Sequence, residues 1–225
     1  MQKNLVKIIG IFLSYFLYEF IIICILSILG INISELSFIQ KNIYLFTIDI
    51  IYLTGIIYVY RKDLKNKFKD FNDNGTNYIL KYAPLYLIGV IVMGIANSML
   101  FNITGMEIST NEQNVRTLIK YYPIYMTFSS VIYAPIVEEL IFRKTVRKLF
   151  NNGIIFVLMS GILFGLVHVI GTGNESINEL LMGIPYIIIG IDIAYIYYKT
   201  DNIYTTITLH MIHNLTLLMI QFIGG

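Results

Sequence analysis

The sequence predicts an all-α polytopic transmembrane helical bundle of about seven spans, with its functional core in the C-terminal four. Three observations lead there. Of the 225 residues, 56% are hydrophobic and only 13% charged, a membrane composition rather than a globular one. The apolar residues gather in long uncharged runs, most of them near the ~20 residues that carry a helix across the hydrocarbon core. Backbone groups in lipid must be satisfied within their own segment, so these runs are helices rather than strands.

Taken in order, the expected spans cover residues 5–31, 43–60, 80–101, 122–147, 153–170, 177–199 and 203–223. The first, in "MQKNLVKIIGIFLSYFLYEFIIICILSILGI", has the basic start of a signal peptide. Its apolar stretch is too long for one and no small-x-small cleavage site follows, so it reads as a retained span. The second and third flank "RKDLKNKFKDFNDNGTN", expected to be a solvated cytoplasmic loop. The fourth runs past its apolar part into "FRKTVRKLF", and the fifth is short. No internal repeat, linker or low-complexity tail divides the chain. Residues 1–225 therefore read as one membrane-embedded domain, with N-terminal spans over 1–121 and the core over 122–225. The single cysteine, Cys24, excludes an intrachain disulfide and a thiolate metal cluster.

Basic residues set the orientation. With the N-terminus cytoplasmic, 13 of the 16 Lys and Arg fall on or near that side, leaving Lys41, Arg116 and Lys120 outside. The expectation is an integral protein of the plasma membrane, N-terminus in and C-terminus out, partnered by the lipid bilayer. The charged 61–77 segment reads as a topology determinant, and no nucleic-acid partner is expected.

Ionisable groups inside hydrocarbon cost about 2.5–3.5 kcal/mol on insertion scales and are functional candidates by default. Here they are Glu19, Asp49, Glu138, Glu139, Arg143, His168, Asp192, His210 and His213, which include all three histidines of the chain. At ~1.5 Å per residue from the shared cytoplasmic side, Glu138 lies roughly 15 Å deep, His168 roughly 21 Å, His210 roughly 10 Å and Asn214 roughly 16 Å. Four polar side chains from three spans thus occupy one slab. Glu138 and Glu139 point about 100° apart on an α-helix, and Glu139 stands four residues before Arg143, the spacing of an intrahelical ion pair. Glu138 is left to meet another helix, with Pro135 able to open the span beside it.

A carboxylate beside a neutral imidazole suits general-base activation of water. Asn214 and His210 carry N–H donors of the kind that stabilise an oxyanion. Glu138, His168 and His210 are also the three side chains that would hold an open zinc site if their tips converged. Sequence leaves the cofactor open between none and zinc.

Of the other polar residues, His213 reads as packing. Glu19 and Asp49 share a depth and could meet each other. Asp192 could orient His210. Ser129 and Ser130 lack an obvious base, so helix packing is the better account of both.

"EELIFR" (138–143), "FGLVH" (164–168) and "HMIHN" (210–214) resemble the EExxxR, FxxxH and HxxxN motifs of the CPBP intramembrane proteases, which include type II CAAX prenyl endopeptidases and bacteriocin-processing or self-immunity proteins. The resemblance covers roughly 122–220 and departs from the family at Asp192 and in the turn "KTDN". It implies an intramembrane endopeptidase acting on a peptide or membrane-anchored protein, sometimes described as metal-dependent. Glu138 and His168 would activate water, His210 and Asn214 would hold the oxyanion, and Glu139 with Arg143 would give support. The competing expectation is a non-catalytic scaffold or self-immunity protein on the same fold. A transporter would need repeat symmetry and paired broken helices, and the sequence has neither.

Overall fold

The computed structural model describes residues 2–174 and 176–224. The first helix, α1, spans Gln2–Ile28 and gives way to a turn in which Gly30 takes φ 72°. A short 3-10 turn, Ile33–Glu35, leads into α2, Phe38–Thr104. Ser37 starts α2 with a reciprocal cap: its hydroxyl accepts from the Gln40 N–H, and the Gln40 side chain accepts from the Ser37 N–H. Gly105, in the left-handed conformation at φ 70°, ends it.

The 67 residues of α2 stay helical through Pro84, which has no N–H to give, and would reach about 100 Å if straight. The next helix, α3 (Thr110–Tyr121), has only 12 residues and is about 18 Å long. Phe38, at the start of α2, stacks on Tyr122 just beyond the far end of α3, with ring centroids 5.3 Å apart. Thr104, at the end of α2, lies just before the near end of α3. The long helix therefore doubles back on the bundle. One leg packs on the fourth apolar segment, where the Tyr60 and Thr145 hydroxyls are 2.6 Å apart. The other packs on α8 (Ile184–Thr200), with Gly89 against Asp192.

The bend corrects one expectation. Residues 61–77 are helical, not an irregular loop. Tertiary docking is the reason, since a polar segment becomes a stable helix when something packs on it. Phe68 and Phe71 lie against Tyr204. The Asn202 amide donates to the Lys67 carbonyl and the Asp70 carboxylate, and the Lys67 amine reaches Asp201 at 2.6 Å.

Among the described residues, five helices are long and apolar enough to cross a membrane: Leu5–Ile28, Phe38–Thr104, Pro123–Lys148, Ile177–Thr200 and Ile203–Ile223. The shorter α6, Gly153–Val167, is also apolar. Counting both legs of α2 and adding α6 gives seven apolar segments. Pro123–Lys148 is not uniform. It runs as α4 (Pro123–Phe128), a π-helical turn (Ser129–Tyr133), α5 (Ala134–Glu138) and a second π-helical stretch (Glu139–Thr145). Ile177–Thr200 is likewise interrupted, by Met182 and Gly183 between α7 (Ile177–Leu181) and α8. The last helix, α9, is Ile203–Gly224. The core lies around the motif span, where Val137, Leu140, Ile141, Phe142 and Val146 have no exposure, together with Phe156, Ala194 and Ile196.

Small residues bring α6 and α8 into backbone contact, as they do in many lipid-embedded helix pairs. A Cβ on Gly161 would come within 2.6 Å of the Ile191 backbone nitrogen. One on Gly165 would come within 2.7 Å of the Ile187 nitrogen and 2.9 Å of the Gly183 carbonyl. A methyl there must force the helices apart, and overpacking of this kind costs ~1–3 kcal/mol. Gly161→Ala should therefore lower the thermal midpoint in detergent by several degrees. Gly94→Ala, where nothing lies within 4 Å, should leave it unchanged or raise it through helix propensity.

Candidate active site

Glu138 and Glu139 stand where the motif span passes from α-helical to π-helical hydrogen bonding. Pro135, three residues earlier, has no N–H to give to the helix, and the helix is widened on both sides of it. Single π turns inside α-helices recur at functional sites. Here they bring two adjacent carboxylates to one partner. His210 on α9 has Nδ1 3.0 Å from Glu139 Oε1 and Nε2 3.8 Å from Glu138 Oε2.

Glu139 is gripped from both ends. Its second oxygen, Oε2, lies 3.4 Å from Arg143 Nε, and neither side chain has any exposure. The Arg143 guanidinium sits over the Phe164 ring at 4.5 Å, so charge on one side and an aromatic face on the other hold it. Arg143 therefore belongs to the core and not to the basic flank that follows it. Phe164 contributes more than packing. Its ring lies 4.6 Å from the His168 ring and 5.9 Å from that of His210. Its carbonyl is 2.6 Å from His168 Nδ1. A carbonyl has no proton to offer, so Nδ1 donates and Nε2 of a neutral His168 is the free end.

Asn214, one turn after His210, donates from Nδ2 to the Ser130 carbonyl at 2.8 Å. That acceptor belongs to the first π turn, which ties α9 to the motif span above the glutamates just as His210 ties it at their level. The fold thus brings Glu138, Glu139, Arg143 and His210 into direct contact, with Phe164 joining His168 to them and Asn214 braced close by.

Several expectations need correcting. Among the described residues, no three His, Cys, Asp or Glu side chains are placed to hold one metal ion. The tips of Glu138, His168 and His210 therefore do not form the three-ligand zinc set, and no step below passes through a metal. Glu139, not Asp192, is the carboxylate that orients His210. Asp192 lies against Gly89, and its Oδ2 has no partner. Asp49 does not meet Glu19 but accepts from the Tyr125 and Ser129 hydroxyls of the motif span, at 3.0 and 3.1 Å. Glu19 accepts from the neighbouring Tyr18. His213 packs edge-on against Tyr86, as packing would have it, and the Ser130 hydroxyl is spent on the Met126 carbonyl.

Residues 120–216, which hold Glu138, Glu139, Arg143, Phe164, His168, His210 and Asn214, match the family model of the type II CAAX prenyl endopeptidases, Rce1-like. This part of the chain is thus similar to the CPBP intramembrane proteases. A Bacillus subtilis protein described as "Putative membrane peptidase YdiL" is 29% identical over 140 residues, 60% of this chain and 53% of that protein. The match to this relative thus spans about half of its length. No solved structure matches the chain. The matched region coincides with the part of the bundle in which the buried charges are paired.

Removing one partner from a buried ion pair leaves the other charge uncompensated, at a cost of ~3–5 kcal/mol. Arg143→Met should therefore lower stability by about that amount, seen as a large drop in thermal midpoint. Lys144→Met, whose amine lies 3.7 Å from the half-exposed Asp63, should cost less than ~1 kcal/mol.

Proposed function

We propose that this protein is an intramembrane endopeptidase that hydrolyses a peptide bond of a membrane-associated protein or peptide, with Glu138 and His168 activating the water. The observation that carries the reading is the bridge made by His210 between two adjacent glutamates in unlike settings. Glu139 has no exposure and is committed to His210 and Arg143, whereas Glu138 keeps 12% side-chain exposure and one 3.8 Å contact. Glu138 is thus the carboxylate still free to take a proton.

In this reading Glu138 accepts a proton from water as the oxygen attacks the scissile carbonyl, and later returns it to the departing amine. The free Nε2 of His168 accepts from the same water and aims it. Glu139 accepts from His210 Nδ1–H and so fixes that ring, as a carboxylate does for the histidine of a serine-hydrolase triad. His210, fixed through Nδ1, holds the oxyanion through Nε2–H. Asn214, with one amide proton spent on Ser130, has a second to add. The CAAX-type peptidase model that the core matches makes an S-farnesylated peptide the first substrate to try. Orientation belongs to the same proposal, with the basic end of the bundle, carrying Arg147, Lys148 and Lys199, cytoplasmic in the plasma membrane.

Two experiments test this. Glu138→Gln should reduce cleavage of an internally quenched S-farnesylated peptide by at least ~10²-fold, with a thermal midpoint close to that of the unaltered protein. Cleavage undiminished by that change would sink the proposed role. For orientation, Cys24 is first replaced by Ser. A cysteine at Asn72 should then react with an impermeant maleimide only after the cells are opened, and one at Gln113 should react in intact cells. The reverse pattern would invert the topology.

A further inference from the structure

His168 is fixed by two contacts of different kinds. One is the 2.6 Å bond from Nδ1 to the Phe164 carbonyl. The other comes from a helix that none of the motifs includes. The Tyr186 ring, in the first turn of α8, stacks on the imidazole with centroids 4.5 Å apart and planes within 18°. Phe164 lies on the same imidazole at 4.6 Å and 46°. The ring is thus bracketed by two aromatics, only one of which is parallel to it.

The backbone explains how Tyr186 arrives there. Gly165 abuts the Ile187 nitrogen and the Gly183 carbonyl so closely that no Cβ fits between them. The last turn of α6, which His168 caps, and the first turn of α8, which carries Tyr186, are therefore in contact. The far end of Tyr186 is also held, its hydroxyl 3.0 Å from Ser109 Oγ. Ser109 is buried and caps α3 by accepting from the Glu112 N–H. The next residue, Thr110, donates from its N–H and its hydroxyl to Glu179, a carboxylate with no exposure. Tyr186 is fastened at both ends to packed structure rather than to a free loop.

The geometry points to Tyr186 as a positioning residue for His168: its stacked ring holds the imidazole in the orientation where Nδ1 donates to Phe164 and Nε2 stays free. The physical need is plain. The terminal torsion of histidine is broad and roughly two-fold, and a half-turn exchanges Nδ1 with a ring carbon, breaking the bond to Phe164 and turning the base away from the reacting water. A parallel aromatic face confines the plane of the ring, while the carbonyl selects one of its two flips. A one-point hydrogen bond cannot do both.

The inference rests on the catalytic reading of His168, and its first readout needs no substrate. Ring-¹⁵N histidine spectra of the full chain in detergent distinguish the two neutral tautomers, and His168→Gln assigns the signal. The expected result is a single Nδ1–H tautomer in the unaltered protein and in Tyr186→Phe, which keeps the stack. Tyr186→Leu should show mixed tautomers. On the quenched S-farnesylated peptide, Tyr186→Phe should keep kcat within about two-fold, and Tyr186→Leu should lose about ten-fold or more in kcat with little change in KM. Should the leucine variant fail to accumulate, Tyr186→Met fills a similar volume without an aromatic face and carries the same expectation. A single tautomer with undiminished kcat in the leucine or methionine variant overturns the proposal, and so does equal loss in the phenylalanine variant. A locked His168 in a protein without peptidase activity would overturn the catalytic reading and leave the positioning claim standing.

Discussion

The structure turns on a carboxylate with nowhere to go. Glu139 has no exposure, so an unpaired negative charge there would be prohibitively expensive in so apolar a setting. One of its oxygens is hydrogen-bonded to His210 from α9, and the other faces Arg143 of its own helix as an ion pair without a hydrogen bond. Arg143 is equally buried and leans on Phe164 of α6. Three lipid-embedded helices are thereby locked at one depth. Without a hydrophobic force between helices in lipid, this pairing fixes register in a way that the aliphatic contacts around it do not.

That constraint also bears on the π-helical stretches. On a regular α-helix, adjacent residues diverge by about 100°, which would send Glu138 and Glu139 to different neighbours. Widening the helix before Pro135 and after Glu138 lets both carboxylates face one imidazole. The Ser130 carbonyl of the first π turn serves as the acceptor for Asn214, and the Thr145 hydroxyl donates five residues back, to the Leu140 carbonyl, at the end of the second. The irregular backbone is where the two helices meet, and its polar groups are the ones used.

Much of this was legible beforehand because it rests on periodicity and cost. The spans show as apolar runs, the Glu139–Arg143 pair as an i,i+4 spacing, and the shared depth of Glu138, His168, His210 and Asn214 as simple arithmetic. What was not legible depended on contacts between distant segments. Residues 61–77 have the composition of a loop and become helical because Phe68, Phe71 and Asn202 dock them. Asp192 looked like the partner of His210 by depth alone, yet helical rotation sends it to Gly89 while Glu139 takes the imidazole. The phase argument that kept Glu139 for its own helix assumed 3.6 residues per turn, and a π turn changes that number. Phe164 stood in plain view as the first letter of its motif. Only coordinates show that its carbonyl sets the tautomer of His168 and its ring carries Arg143.

Two glutamates side by side in sequence end up with opposite characters, and the difference is one of access. Glu139 gives up both oxygens to protein partners and becomes part of the scaffold. Glu138 has a single loose contact and some opening to its surroundings. A proton acceptor that was fully paired could not accept, and one that was fully solvated would not be held against a substrate. Glu138 is held in between by Glu139. Because Glu139 holds His210 through Nδ1, the ring that limits the freedom of Glu138 is itself anchored, and the more accessible carboxylate takes its place from the enclosed one.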